Sequence, residues 1–166
     1  MDEITKFKNS RLTFLLESIK ELGYSKAINE FIKKYPSDKY RFDKLEGSLA
    51  FRCINKNNKN CLIINSDLGN IPDFFSDIFE EVVSLDTPEK ILIQKARFET
   101  KKITNVVFET TNSDETHSIE KNYDLIILNG IQIENLHDLK IRIKNYLNKL
   151  KNHLNDDGCL CLAVKN

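Results

Sequence analysis

The stretch that most constrains this chain runs from Cys61 to Asp86, CLIINSDLGNIPDFFSDIFEEVVSLD. A short apolar run, Cys61-Leu62-Ile63-Ile64, leads into a polar loop, Asn65-Ser66-Asp67-Leu68-Gly69-Asn70. A helix-like segment follows, roughly Pro72 to Glu80, and then a second apolar run, Val82-Val83-Ser84-Leu85, closed by Asp86. Short apolar runs bounded by turn residues read as buried strands. The order is therefore strand, turn, helix, strand, with an acid at the end of the second strand. A nucleotide-binding βαβ unit has this layout, with its acid about 20 residues after the turn. In such a unit the turn lets a ligand approach the backbone and the helix N-terminus offers N–H groups. The carboxylate accepts hydrogen bonds from a ribose.

The rest of the chain continues the alternation. Before this unit, residues 1–35 read as helical. Leu12, Leu15, Leu16, Ile19 and Leu22 recur at helical spacing, and Gly23 is a stop. Ser25 is placed to cap a second helix with Ala27, Ile28, Phe31 and Ile32 on its apolar face, and Pro36 ends it. Residues from 37 onward read as irregular, with Arg41-Phe42-Asp43 a short lead-in. Ser48 to Ile54 reads as a short strand or hairpin arm, and Lys56 to Asn60 as a solvated turn. After Asp86, Pro88 suits the first turn of a helix whose apolar face is Ile91, Leu92, Ala96 and Phe98. Asn105 to Phe108 is a third strand, and Thr110 to Lys121 a polar connection. Tyr123 to Leu128 is a fourth strand, its near-continuous apolar run suiting a parallel strand buried on both faces. Asn129-Gly130 follows at its carboxyl end. Leu136 to Leu154 is a long amphipathic helix with Leu139, Ile143, Tyr146, Leu147 and Leu150 on one face. Asp156-Asp157-Gly158 reads as a turn, and Cys159 to Val164 as the fifth strand.

Strands alternating with helices imply an α/β, doubly wound, Rossmann-like sheet with helices on both faces and right-handed crossovers. Five parallel strands in the order 3-2-1-4-5 are expected, with residues 1–36 a helical segment and 37–166 the sheet domain. Ligands of such sheets lie outside the carboxyl ends of the strands, beside the first strand. The positions that matter are then Asn65 to Gly69, Asp86, Thr111 to Ser113 and Asn129-Gly130. On the residues alone, Asp86 is a ribose ligand or a helix N-cap. Asn65-Ser66-Asp67 is a cofactor loop or an ordinary βα turn, and Asn129-Gly130 lines a pocket or forms a structural turn. The helical segment packs on the sheet, gates a ligand or docks a partner.

Composition removes several function classes. At 166 residues the chain suits one domain, and its formal net charge of zero does not favour general nucleic-acid binding. No apolar run reaches the roughly 18 residues of a membrane span. MDEITKFKNSRLTFLL lacks the apolar core and cleavage site of a signal peptide, so a cytoplasmic location is expected. Cys53, Cys61, Cys159 and Cys161 form no CxxC pair and read as core thiols. His117, His137 and His153 are scattered on polar segments and read as solvated. No metal-spaced cluster, nucleophile elbow or phosphate loop is present, which argues against phosphoryl transfer and triad hydrolysis.

From about Tyr40 to Asn166 the sequence resembles a class I S-adenosylmethionine-dependent methyltransferase. CLIINSDLG resembles the family's first motif, commonly VLDLGCGTG. VVSLDTPEKILIQKARF resembles its second strand and following helix, and NVVFETTNSD its third strand and loop. YDLIILNGIQIE is similar to FDLVVLNGVLEH, and LKNHLNDDGCLCLAVKN to LKPGGRLLLAVEN. The last two segments are similar to methyltransferases of cell-envelope polysaccharide and lipid-linked sugar pathways.

The resemblance implies S-adenosylmethionine as cofactor and roles for particular residues. The loop Asn65, Ser66, Asp67 and Gly69 would lie under the methionine part, and Asp86 would bind the ribose hydroxyls. Thr87 would flank the adenine and Asn112 would lie near its amino group. Asn129 would line the pocket near the sulfonium and the acceptor, and Asp124 would help position the first loop or the fourth strand. Three departures stand out. Where the family has G-x-G-x-G this chain has Asn65, Asp67 and Gly69, and Ile63 replaces an acid of the first strand. The sequence stops at Asn166, where the family continues with a helix and an antiparallel strand pair; that pair is expected to be missing, to lie in chain beyond this sequence, or to be replaced by another chain. These departures leave a second reading, a non-catalytic pseudo-methyltransferase that binds a protein partner through the N-terminal helices or the open sheet edge. A nicotinamide-dinucleotide-binding domain is a third, against which the fourth-strand match argues.

Overall fold

A computed structural model describes residues 10–42, 54, 59–111, 121–132 and 136–165. The expected arm at 48–53, Asp43, Cys53, the turn residues 56–58, Asn112, Ser113, His117 and the side chains of His137, Leu139 and Ile143 lie outside what is described.

The five strands form one sheet in the order β3-β2-β1-β4-β5, every neighbouring pair parallel. They are β1 (Asn60–Ile64), β2 (Glu81–Asp86), β3 (Val106–Thr110), β4 (Tyr123–Gln132) and β5 (Leu154–Lys165). The central strand sets the layers. Side chains alternate across a strand, so Cys61 and Ile63 face one way and Leu62 and Ile64 the other. Cys61 and Ile63 join Val82, Leu125 and Ile127 against Ile71 and Phe75 of α3 (Asn70–Phe75) and Phe98 of α4 (Pro88–Lys101). Leu62 and Ile64 join Val83, Leu85, Ile126 and Leu128 under Tyr146, Leu147 and Leu150 of α5 (Leu136–Lys151). Both faces of the three central strands are thus covered, which suits their apolar residues on both sides, while the edge strands β3 and β5 expose Val107 and Leu162. Cys61, Cys159 and Cys161 are thiols, and burial pushes the Cys61 thiol well above its ordinary value.

A third core joins the N-terminal helices to the sheet domain. Leu12, Leu15 and Leu16 of α1 (Ser10–Leu22) and Ala27 and Phe31 of α2 (Tyr24–Lys34) pack on Leu68, in the loop after β1, and on Ile93 of α4. A 3-10 helix, Pro36–Phe42, then carries the chain back towards that loop. Among the described residues no helix is long and apolar enough to cross a membrane.

Several boundaries differ from the sequence expectation. Gly23, not Ser25, is the N-cap of α2. At φ 75° it closes α1, its N–H donating to the Ile19 carbonyl, and opens α2 in the same residue. Residues 36–42 are a 3-10 helix rather than a lead-in, started by the fixed φ of Pro36. The helix after β1 spans Asn70–Phe75, shorter than 72–80, because the Ile78 and Phe79 N–H groups both turn back to the Phe75 carbonyl. On α4 Ile91 and Phe98 are buried as expected and Leu92 packs partly buried, but Ile93, Gln94 and Arg97 are buried as well, because this helix packs on both the sheet and the N-terminal helices.

α5 ends at Lys151, and β5 begins at Leu154 with 156–158 inside it rather than forming a separate turn. Tyr123 stands opposite Leu154 but Leu125 opposite Cys159, so 155–158 bulge out of register. Asp124 fixes the bulge: it accepts from Asn155 Nδ2 at 2.5 Å and from the Lys59 and Asn60 N–H groups at 2.9 and 3.0 Å. Gly158 is required there, since a Cβ would stand 2.8 Å from the Tyr123 carbonyl oxygen.

Candidate functional site

The loop after β1 turns through three alternate residues of positive φ: Asn65 at 59°, Asp67 at 55° and Gly69 at 87°. These are the positions at which a G-x-G-x-G loop carries glycines. Asn and Asp enter the left-handed region more readily than other side chains, so the turn forms without the first two glycines. Gly69 is needed twice over: its φ of 87° strains any side chain, and a Cβ there would lie 3.0 Å from Gln94 Cγ and 3.2 Å from Phe98 Cε2. Its carbonyl accepts the Asp73 N–H at 3.0 Å to open α3.

Ser66 points inward and is fully buried. It belongs to a closed ring of hydrogen bonds. Ser84 Oγ donates to Gln94 Oε1 at 2.6 Å, and Gln94 Nε2 donates to Ser66 Oγ at 2.9 Å. Ser66 Oγ lies 2.7 Å from Ser84 Oγ, and the ring leaves Ser66 as the donor. Gln94 Nε2 also donates to the Asp67 carbonyl at 2.7 Å, so the loop backbone rests on α4.

Asp86 ends β2 directly beneath this loop and is fully buried. Its Oδ2 accepts the Asp67 N–H at 2.7 Å. Its Oδ1 accepts the Thr87 N–H at 2.7 Å and Lys90 Nζ at 3.0 Å. The N-cap of α4 is Thr87, extended at φ −65°, ψ 152°, rather than Asp86. Burial raises the Asp86 carboxyl above its ordinary value, and Lys90 and the two N–H groups offset this only in part.

The Asp67 carboxylate turns towards the 3-10 helix. Arg41 grips it with two hydrogen bonds, Nε to Oδ2 at 2.7 Å and Nη2 to Oδ1 at 2.6 Å. Arg41 also lies 4.0 Å from Asp38, which holds Arg11 of α1 at 3.1 Å, and Lys90 Nζ lies 3.9 Å from Asp67 Oδ1. Charges of alternating sign therefore run from α1 to the end of β2. Across the loop, Asn129 Nδ2 donates to the Asn65 carbonyl at 3.2 Å, and Gly130 beyond it has φ 70°.

No protein-family model matches the sequence, and no curated protein matches it. Solved structures do. An S-adenosylmethionine-dependent methyltransferase from Clostridium acetobutylicum superposes with a TM-score of 0.59 at 16% identity, over 84% of this chain and 56% of that one. A coclaurine N-methyltransferase bound to N-methylheliamine and SAH gives 0.58 at 16% identity, over 70% of this chain and 34% of that one. An rRNA methylase from Streptococcus thermophilus gives 0.54 at 12%, over 72% and 69%. The fold is that of the class I S-adenosylmethionine-dependent methyltransferases. The chain spans a little over half the length of the first of these structures and a third of the second.

Within this methyltransferase fold, Asn65, Ser66, Asp67, Gly69, Asp86 and Thr87 gather at the carboxyl ends of β1 and β2, and Asn129 stands beside them within β4, which runs on to Gln132 through a register shift at 129–131 instead of ending at Leu128; Asn112 lies outside the described residues. Four side chains that sequence reasoning missed complete the cluster. Lys90 stands in the first turn of α4, four residues after Asp86, and its ammonium reaches back to that carboxylate at the end of β2. Gln94 and Arg97 are polar residues on the buried stripe of α4, a break in pattern that the sequence does display. Arg41 had no sequence signal, since its partner is 26 residues away.

Proposed function

We propose that this chain is an S-adenosylmethionine-dependent methyltransferase domain that takes its cofactor across the carboxyl ends of β1, β2 and β4. One observation carries the reading: three alternate left-handed residues, 65, 67 and 69, sit directly over Asp86, joined to it by the 2.7 Å bond from the Asp67 N–H. A turn of this kind presents backbone to a ligand, as a glycine loop does. The residues present fit the group. Asp86 would supply the acceptor for ribose hydroxyls, Thr87 would flank the adenine, and Asn129 borders the loop where the acceptor would approach. Asn65, Asp67 and Gly69 shape the loop beneath the methionine part, and Ser66 holds it from below.

The cofactor, when bound, brings the reactive methyl group. The chain's part is to bind, to align the acceptor and to exclude water. For the methyl transfer we propose a place in cell-envelope polysaccharide metabolism, its acceptor unidentified, on the likeness of YDLIILNGIQIE and LKNHLNDDGCLCLAVKN to that subgroup. Calorimetric titration with S-adenosylmethionine and S-adenosylhomocysteine tests the cofactor reading. Micromolar binding that is lost in Asp86→Ala is expected. No heat and no thermal stabilisation at millimolar cofactor, from folded protein, overturns it.

A second reading has one observation in its favour. Asp86 is fully buried and the Asp67 carboxylate is held by Arg41, an arrangement that also suits a fold whose cleft serves only as structure. The chain would then be a non-catalytic pseudo-methyltransferase binding a protein partner through the N-terminal helices or the β5 edge, where Leu162 is exposed. The same titration separates the two.

A further inference from the structure

We propose that Lys90 is a cation with two stations, Asp86 and Asp67, and that Asp67 stands in the loop to receive it when a ligand diol takes Asp86. The inference rests on the cofactor reading above and gives two of its residues a positioning role.

The argument begins with acceptor capacity. An ionised carboxylate offers about four lone-pair positions. Among the described residues three donors reach Asp86: the N–H groups of Asp67 and Thr87 and the ammonium of Lys90. A vicinal diol brings two hydroxyls, so one position is open and one more must be vacated. The two N–H groups belong to the loop and to the start of α4 and are fixed by the fold. Lys90 is the donor that can leave, since it sits at the end of a flexible stem with its side chain 24% exposed.

A displaced ammonium needs another counter-ion, because an unpaired charge in a partly buried position is costly. Asp67 Oδ1 lies 3.9 Å from Lys90 Nζ. A movement of about 1 Å brings the pair to the length of a charge-assisted hydrogen bond. Arg41 donates two hydrogen bonds to Asp67, so by the same count acceptor positions remain for Lys90. Arg41 also fixes the receiving carboxylate against the 3-10 helix. Ligand entry therefore changes which carboxylate Lys90 serves, and Asp86 then holds its charge on the two N–H groups and the two hydroxyls. It also accounts for an acid at a loop position whose backbone angles suit glycine.

The test is calorimetric titration with S-adenosylhomocysteine, and separately with adenosine, which supplies the diol without the methionine part. The proteins are wild type, Asp67→Gly, Lys90→Met and the double variant, each checked for a cooperative thermal transition. Glycine suits the positive φ at 67, so Asp67→Gly keeps the loop. Asp67→Gly is expected to weaken both probes by about tenfold or more, the scale of one charged hydrogen bond. In the Lys90→Met background the same change is expected to have no effect. Wild-type affinity or tighter binding in Asp67→Gly overturns the proposal, and so does equal weakening with and without Lys90. Those outcomes leave the cofactor reading standing. Absence of binding by every variant overturns both.

Discussion

Asp73 and Asp86 are both fully buried carboxylates with a lysine nearby, yet they are matched in opposite ways. On Asp73, Arg97 Nε and Nη2 converge at 3.1 and 2.6 Å on the same oxygen that Lys101 also contacts. Arg97 is itself buried and reaches on to the carbonyls of Leu68 and Phe42 at 3.5 and 3.4 Å. On Asp86, a single cation and two backbone N–H groups are spread over both oxygens. Burial pushes both carboxyls up. At Asp73 the bonds and charges of Lys101 and Arg97 outweigh it and bring the group below its ordinary value; at Asp86 the group stays raised. A carboxylate overmatched by cations fastens its surroundings. An undermatched one holds its charge mainly on hydrogen bonds from its neighbours.

Arg97→Met should break this contrast most severely. It removes one half of a buried pair and the ties from α4 to the loop and the 3-10 helix. A loss of about 3–5 kcal/mol is expected by urea denaturation, and a loss under about 1 kcal/mol would place Asp73 in the same class as Asp86.

The pH dependence should come next, with opposite signs at the two sites. The folded-state value of Asp73 is lowered, so its stabilisation is present above the ordinary carboxylate value and fades as pH falls through the lowered one. For Asp86 the folded-state value is raised, so its contribution is full below the ordinary value and is lost as pH rises through the raised one. Denaturation curves taken from acid to neutral pH should therefore show a flatter acid limb in Asp73→Asn. In Asp86→Asn the fall in stability between the ordinary and the raised value should disappear. Identical profiles for the two variants would erase the distinction.

Gln94→Met opens the buried ring beneath the loop and leaves Ser66, Ser84 and the Asp67 carbonyl short of a partner. About 1–3 kcal/mol is expected in thermal or chemical unfolding. Asn65→Gly should have the smallest effect. Relief at a positive φ is offset by the freedom glycine gains when unfolded, so the change should stay within about 1 kcal/mol. A larger loss would mean that the Asn65 side chain itself holds the loop.

Much of this architecture was legible in the chain because it rests on local patterns. Cys61 to Ile64, Val82 to Leu85 and Tyr123 to Leu128 are short apolar runs separated by turn residues, and their order implied the parallel sheet. Asn65, Asp67 and Gly69 were legible as a turn from residue type alone. What stayed hidden depends on partners far apart in sequence. The grip of Arg41 on Asp67 and of Arg97 on Asp73 joins residues 26 and 24 positions apart, and no period of helix or strand announces such pairs. The extent of β5 was hidden for a related reason. Asp156-Asp157-Gly158 has turn composition, and Asp124 on the neighbouring strand is what keeps that bulge in the sheet.

The charge chain across the site has a consequence for the order in which the molecule comes into being. Every side chain in it, and both N–H groups that hold Asp86, come from residues 11–90. The contact from β4, between Asn129 and Asn65, and the staple at Asp124 need chain made much later. A polypeptide synthesised from its N-terminus thus holds the full set of charges around Asp86 while β1 still lacks its neighbour on one side. Opposite charges already in place can draw the 3-10 helix and the loop together at that stage, before the second half of the sheet exists to support them.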